Sequence, residues 1–266
     1  MEGMNEKGLS AGLFYFPDYG KYEEYSEANR ETNISDFQLV SYILGRCATV
    51  DEVKAEIARV HIHGFDPRSS TVHWRFAEPS GRQIVLEIID GKCVFYENTL
   101  GVLTNSPSFD WQLTNLNNYV NLLPGRTEPL TLGNMSLSSF GGGSAMLGLP
   151  GDFTPPSRFV RAAFFQNTAP QKPNAEGSVF TAFHILGSME IPIGAQFAVG
   201  EAPADIPSAT QCTCVSDMSG LRFYYRSMYD GGIRCIDLKE IDFKKIGLKS
   251  EPLIPSRKEF VHYIRF

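Results

Sequence analysis

A chain of 266 residues, 42% hydrophobic and 20% charged, can bury one sizeable core, which excludes a disordered chain and favours a single domain over 1–266. Its net charge of −6, with no run rich in Lys and Arg, excludes nucleic acid as the natural partner. Apolar runs such as 159–165 fall far short of the roughly 20 residues that cross a bilayer, so no membrane span is expected.

In chain order, residues 8–16 read as a buried strand stopped by Pro17 and followed by the polar stretch DYGKYEEYSEANRET. Residues 34–47 are predicted as a helix, with Phe37, Val40, Leu44 and Cys47 at helical spacing. A second helix starts at Thr49, whose hydroxyl and Glu52 three residues on make a capping box. STVHWRFA, RQIVLEII, KCVFYE and LGVLTN then run as strands separated by EPSG and DGK, an antiparallel meander. Residues 109–122 are predicted helical, although Thr114 and several asparagines weaken the propensity. The glycine-rich GGGSAMLGLPG leads to a helix opened by Thr154-Pro155-Pro156, with Thr as N-cap and Pro in the first turn. A helix around 178–186 precedes a last strand set, IGAQFAVG, TQCTCVSDM, RFYYRSMY and IRCIDL. Two strand clusters with helices between and outside them imply two sheets faced by helices.

Several patterns that invite chemistry fail on inspection. Gly141-Gly142-Gly143-Ser144 is no phosphate loop, because no Lys-Ser/Thr pair follows, and no nucleophile elbow, because Met146 stands where glycine is needed. His61 and His63 share a strand face without an evident third ligand, and His73, His184 and His262 are scattered singly, so no metal or cofactor is assigned. The five cysteines make no CxxC pair. Cys212 and Cys214 sit two apart on a strand, with Cα atoms about 6.5–7 Å apart. A bridge there would be strained, and both read as small buried hydrophobes.

Two stretches carry more. In VLTNSPSFDWQLTNLNNY, Asn105 ends a strand beside a turn, where its amide could donate to a developing oxyanion or could cap the turn and helix. In GLPGDFTPPSRFVRAAF, Arg158 lies in the first turn of a helix, against the dipole. It needs either a functional reason or a structural ion pair, with Asp152 or Asp110 as the partner.

GMNEKGL, ENTLGVLTNSPSFDWQLTNLNNYVNL, GLPGDFTPPSRFVRAAF and FHILGS, in this order, resemble blocks of the choloylglycine hydrolase family, the bile-salt hydrolases and penicillin V acylases. The similarity runs from Gly3 to near Leu253, and GLFYFP and DIPSATQ resemble members from Gram-negative gut bacteria. The resemblance implies an α+β fold, the αββα sandwich of N-terminal-nucleophile hydrolases. It also implies hydrolysis of the linear amide C–N bond of conjugated bile salts, or of penicillin V, by a processed N-terminal cysteine whose α-amine is the base. It further implies a small-molecule amide substrate, no cofactor and a homotetramer.

By the same resemblance, Asn105 is an oxyanion-hole donor and Arg158 orients and supports the nucleophile. Tyr15 takes the position where members carry an asparagine or an aromatic residue lining that hole, with tyrosine closer to penicillin V acylases. Members carry the nucleophilic cysteine, then an Arg and an Asp, ahead of the GMNEKGL block. Here that block starts at Gly3 with no cysteine near Met1, so the chain is expected to lack the nucleophile and the first strands, and to be inactive as written. If Met1 is instead the true start, a non-catalytic binding protein is the alternative. MEGMNEKGLS shows no secretory signal, which leaves a periplasmic or secreted precursor and a cytoplasmic product both open.

Overall fold

The most apolar strands of the sequence, VHWRFA and QIVLEII, are buried along nearly their whole length and lie side by side in a five-stranded sheet. The computed structural model describes residues 1–66, 69–198, 200–201, 209–254, 256–258, 260–261 and 263–265. In it β1 (Glu2–Met4), β2 (Ser10–Tyr15), β5 (Val72–Ala77), β6 (Gln83–Ile89) and β7 (Lys92–Glu97) pair in the order β1-β2-β5-β6-β7, every neighbour antiparallel. The cross-strand row Leu13, Trp74, Leu86 and Phe95 defines one face. It packs under α1 (Leu39–Leu44) and α2 (Val50–Ile57) through Leu39, Ile43, Val53 and Ile57. The opposite face meets α3 (Phe109–Asn115) and α4 (Pro155–Thr168), with Val85 packed against Val102, Phe109, Phe159 and Ala163. Because both faces are covered, these strands read as continuous apolar runs instead of alternating ones.

The capping box forms as the sequence predicts: Thr49 Oγ1 accepts from Glu52 N–H, and Glu52 accepts from Thr49 N–H. The helix expected over 34–47 is shorter. Residues Asn33–Ser35 form β3, paired in parallel with β4 (His61–His63), and α1 begins only at Leu39. Asp36 and Gln38 divert the chain, Asp36 Oδ1 accepting from Phe37 N–H and Phe65 N–H and Gln38 accepting from Ser35 N–H. LGVLTN is no strand. Its carbonyls are taken by side chains instead of a ladder: Gln166 donates to Leu100, Asn98 to Val102 and His73 to Thr104. The expected helix over 109–122 ends at Asn115 and continues as a 3-10 turn, where Asn117 and Asn118 donate to Thr114 and Asn115.

Beyond the exposed hairpin of β8 (Leu130–Leu132) and β9 (Met135–Leu137), α4 starts at Pro155 as expected. Its cap differs. Thr154 makes no side-chain cap; Asp152 accepts from Thr154 N–H and from the Ser157 hydroxyl. The helix α5 (Ala175–Gly187) is capped by Asn174 accepting from Gly177 N–H, slightly earlier than the sequence predicts. A second sheet follows, β10 (Cys212–Asp217), β11 (Arg222–Ser227) and β12 (Asp230–Asp237), an antiparallel meander with α5 packed on β10. Residues 193–198 form no strand, Val199 lies outside the described residues, and so do Asp205 to Ser208 of DIPSATQ and His262. No described helix is long and apolar enough to cross a membrane.

Candidate active site

Residues of both sheets line a cleft of about 730 Å³, to which α4 and α5 also contribute. The five-stranded sheet contributes Glu2, Ser10 and Arg75, the smaller sheet Cys212 and Ser216, and α4 contributes Arg158. The cleft wall mixes polar and apolar side chains. Ser10 Oγ and Ser216 Oγ have no hydrogen-bond partner among the described residues although both atoms are buried. Burial pushes the Glu2 carboxyl up from its ordinary value, with Arg75 opposing it.

Cys212 and Cys214 lie on one face of β10 with their sulfurs 3.6 Å apart and unbridged, half-buried rather than fully packed. The hydrogen bond from Cys214 draws the Cys212 thiol down. Cys47 is packed in the core beneath α1 and α2, and Cys93 and Cys235 are exposed. His61 and His63 flank Ile62 on β4, but their rings go to different partners, Glu23 and the Gly64 carbonyl.

The three residues singled out in the sequence meet at one place. Tyr15 ends β2 as an exposed residue, 57% accessible, and its main-chain carbonyl accepts from Asn105 Nδ2 at 2.8 Å. Arg158, in the first turn of α4, donates from its terminal nitrogen to Asn105 Oδ1 at 2.8 Å and from Nε to the Phe153 carbonyl at 3.0 Å. Neither Asp152 nor Asp110 is its partner, so the structural ion pair weighed for Arg158 is not there. Burial draws the Arg158 guanidinium down from its ordinary value, and the nearby Arg161 adds to this.

A guanidinium only donates, so it must face the amide oxygen, and this fixes which way the Asn105 amide is turned. One Nδ2 hydrogen is then spent on the Tyr15 carbonyl. The second has no hydrogen-bond acceptor among the described residues. Asn105 does not cap α3: the N-cap there is Ser108, which makes no side-chain cap bond. An amide with one free hydrogen, its oxygen held by a half-buried cation, is able to donate outward.

Asp152 fixes the start of α4 and hence Arg158. The hydroxyls of Ser157 and Thr154, with the Thr154 N–H, hold its carboxyl down at about 2.

A second pair was not legible as functional. His73 and Glu87, on the neighbouring strands β5 and β6, are 0% exposed. His73 Nδ1 lies 3.1 Å from Glu87 Oε1, and its Nε2 lies 3.1 Å from the Thr104 carbonyl, immediately before Asn105. His73 looked like a lone histidine in the sequence. The available signal was a charged residue inside QIVLEII, a run otherwise apolar enough to be buried on both faces.

A five-stranded sheet with helices on both faces stands across a cleft from a smaller sheet, and the Asn105 amide is held by the half-buried Arg158 that lines this cleft. Residues 1–251 match the family described as linear amide C-N hydrolases, choloylglycine hydrolase family, and the chain belongs to it. It is 35% identical over 244 residues to the bile salt hydrolase/transferase of Clostridium perfringens, covering 90% of this chain and 72% of that one. It is 34% identical to the protein of the same name from Lactiplantibacillus plantarum, covering 98% of this chain and 79% of the relative.

Among solved structures, a variant of the conjugated bile acid hydrolase of C. perfringens superposes with a TM-score of 0.83 at 30% identity, over 99% of this chain and 79% of that chain. The penicillin V acylase of Agrobacterium tumefaciens gives a TM-score of 0.70 at 26% identity, over 91% and 67%. The fold is therefore the N-terminal-nucleophile hydrolase sandwich that the sequence resemblance implies.

Proposed function

We propose that this protein hydrolyses the amide bond joining a bile acid to glycine or taurine, with Asn105 as oxyanion donor, Arg158 as its support and Tyr15 lining the same hole. The observation that carries the reading is the Asn105 amide, clamped between the Tyr15 carbonyl and the Arg158 guanidinium with one hydrogen left to give. The names of the relatives from C. perfringens and L. plantarum support the substrate class.

In this reading the nucleophile is the thiolate of an N-terminal cysteine on a segment outside residues 1–266, seated in the cleft between the sheets. The buried, unpartnered hydroxyls of Ser10 and Ser216 support a hydrogen-bonding occupant there. The thiolate attacks the carbonyl carbon and the oxyanion forms against Asn105. The cysteine's own α-amine, having taken the thiol proton, passes it to the leaving nitrogen as the C–N bond breaks. The same amine then takes a proton from the water that attacks the thioester, and returns it to the departing thiolate as the free acid is released. Residues 1–266 alone then bind but do not turn over.

A second reading, penicillin V as preferred substrate, is favoured by Tyr15, since an aromatic at that position reshapes the acyl pocket. The test is to express the gene with the coding sequence upstream of Met1, express residues 1–266 separately, and assay glycocholate, taurocholate and penicillin V. The extended protein is expected to cleave the bile-salt conjugates faster than penicillin V, and the shorter one to match a buffer blank. Penicillin V as the faster substrate would support the second reading. Turnover by residues 1–266 would mean that one of the chain's own thiols is the nucleophile.

The complete enzyme is read as a homotetramer. The hairpin β8–β9 supports this: Leu130, Leu132, Met135 and Leu137 are all exposed, and Phe140 beyond it is 100% exposed, an apolar patch suited to burial against another copy. Sedimentation of wild type should give one species of four chains, and Leu132→Lys with Met135→Lys a smaller one. An unchanged mass for the double variant would remove the hairpin from the interface.

A further inference from the structure

We propose that the buried His73–Glu87 pair is the positioning device for the oxyanion donor, holding both ends of the segment 104–109 that carries Asn105. At the front end, His73 Nε2 meets the Thr104 carbonyl at 3.1 Å, which requires that nitrogen to carry the proton. At the back end, Glu87 Oε1 accepts from Phe109 N–H at 2.9 Å. The two side chains join each other at 3.1 Å through Nδ1 and the same Oε1. Whichever of the two atoms holds the proton between them, both main-chain anchors are kept.

The other two contacts of the His73 ring reach the second half of the clamp. Phe16 stacks on it with centroids 4.5 Å apart and an angle of 11°, and Phe14 meets it edge-on at 6.1 Å. Between these two residues lies Tyr15, whose carbonyl holds Asn105 Nδ2. One imidazole thus sets the separation between the strand end that accepts from the donor and the loop that bears it. Further ties run the same way, Ser106 Oγ donating to the Pro17 carbonyl at 2.6 Å and Thr104 Oγ1 to the Pro155 carbonyl at 3.1 Å, at the start of the helix carrying Arg158.

A pair serving only the core would be replaced more safely by two apolar side chains, since buried polar pairs seldom add stability over a packed hydrophobic alternative. What apolar residues cannot do is hold a carbonyl and an N–H of an irregular loop. Glu87 and His73 are therefore positioning residues: they do not touch substrate, and they act through Asn105. A misplacement of about 1 Å in such a donor costs on the order of a hundredfold in rate.

The proposal rests on the reading of Asn105 as the oxyanion donor, and the test separates the two. In the protein expressed with its upstream coding sequence, Glu87→Leu removes both anchors of the carboxylate, whereas Glu87→Gln keeps the acceptor but without charge. Kinetics on glycocholate are read together with the side-chain amide resonances of Asn105 in asparagine-labelled protein. For Glu87→Leu we expect kcat to fall about a hundredfold at a KM within about twofold, with the Asn105 resonances displaced. For Glu87→Gln the fall should be about three- to tenfold, because a neutral amide accepts more weakly than a carboxylate.

A folded Glu87→Leu with wild-type kcat and unmoved Asn105 resonances would overturn the proposal. Displaced resonances at unchanged kcat would uphold the positioning and sink Asn105 as the donor. Should Glu87→Leu not fold, Glu87→Gln decides alone: a wild-type kcat overturns the proposal, and a fall at constant KM supports it.

Discussion

Asn105→Ala in the protein expressed with its upstream coding sequence should lower kcat on glycocholate by about a hundred- to a thousandfold and leave KM nearly unchanged, a loss of about 3–4 kcal/mol in the transition state alone. The size follows from the geometry of the clamp. Asn105 Nδ2 spends one hydrogen on the Tyr15 carbonyl and Oδ1 accepts from Arg158, so the second hydrogen can be aimed before substrate arrives. A donor already aimed costs no reorganisation when the negative charge develops. The ground-state carbonyl gains less from it, which is why KM stays put. The variant removes two hydrogen bonds as well as the donor, so circular dichroism and a thermal melt must accompany the kinetics. A folded Asn105→Ala with near wild-type kcat would return Asn105 to a purely structural role and remove the oxyanion hole from this site.

The sequence was most legible where local and tertiary signals agree. The capping box at Thr49 and Glu52, the meander β5–β6–β7 and the proline-opened helix α4 each follow from residues within a few positions of one another. It failed where side chains far along the chain satisfy the backbone. The stretch 100–105 has strand-like composition, but Asn98, Gln166 and His73 take its carbonyls, and the tight turn at Gly101, with φ of +75°, removes it from the sheet. Phe37 and Val40 are spaced as on a helix, yet Ile34 is held in β3 by pairing with Ile62, and Asp36 turns the chain between them.

The same contrast divides the site. Asn105 and Arg158 stood out because each sits at an awkward local position, a polar residue at a strand-like end and a cation at a helix N-terminus. Their separation in the chain is bridged only by the fold. His73 and Glu87 are unremarkable as residues one by one, and acquire meaning only when β5 and β6 pair and bring them under segment 104–109.

Arg158→Lys should lower kcat about ten- to a hundredfold, the worth of a charge-assisted hydrogen bond of about 1.5–3 kcal/mol. The guanidinium reaches the Phe153 carbonyl with Nε and Asn105 Oδ1 with a terminal nitrogen at once, and a fixed planar fork is what makes both contacts compatible. An ammonium on a flexible stem can keep the charge and one contact but loses the second. The charge alone is not the point, because burial and the neighbouring Arg161 already work against it. If Arg158 acts by holding the Asn105 amide, the two losses must not add: in an Asn105→Ala background, Arg158→Lys should cost less than about threefold. If instead the cation supports the nucleophile directly, its full effect survives in that background. The double-mutant cycle, read as kcat on glycocholate for the four proteins, separates the two roles. The hydrogen-bond geometry commits to the first, and additive effects would transfer Arg158 from the oxyanion hole to the nucleophile.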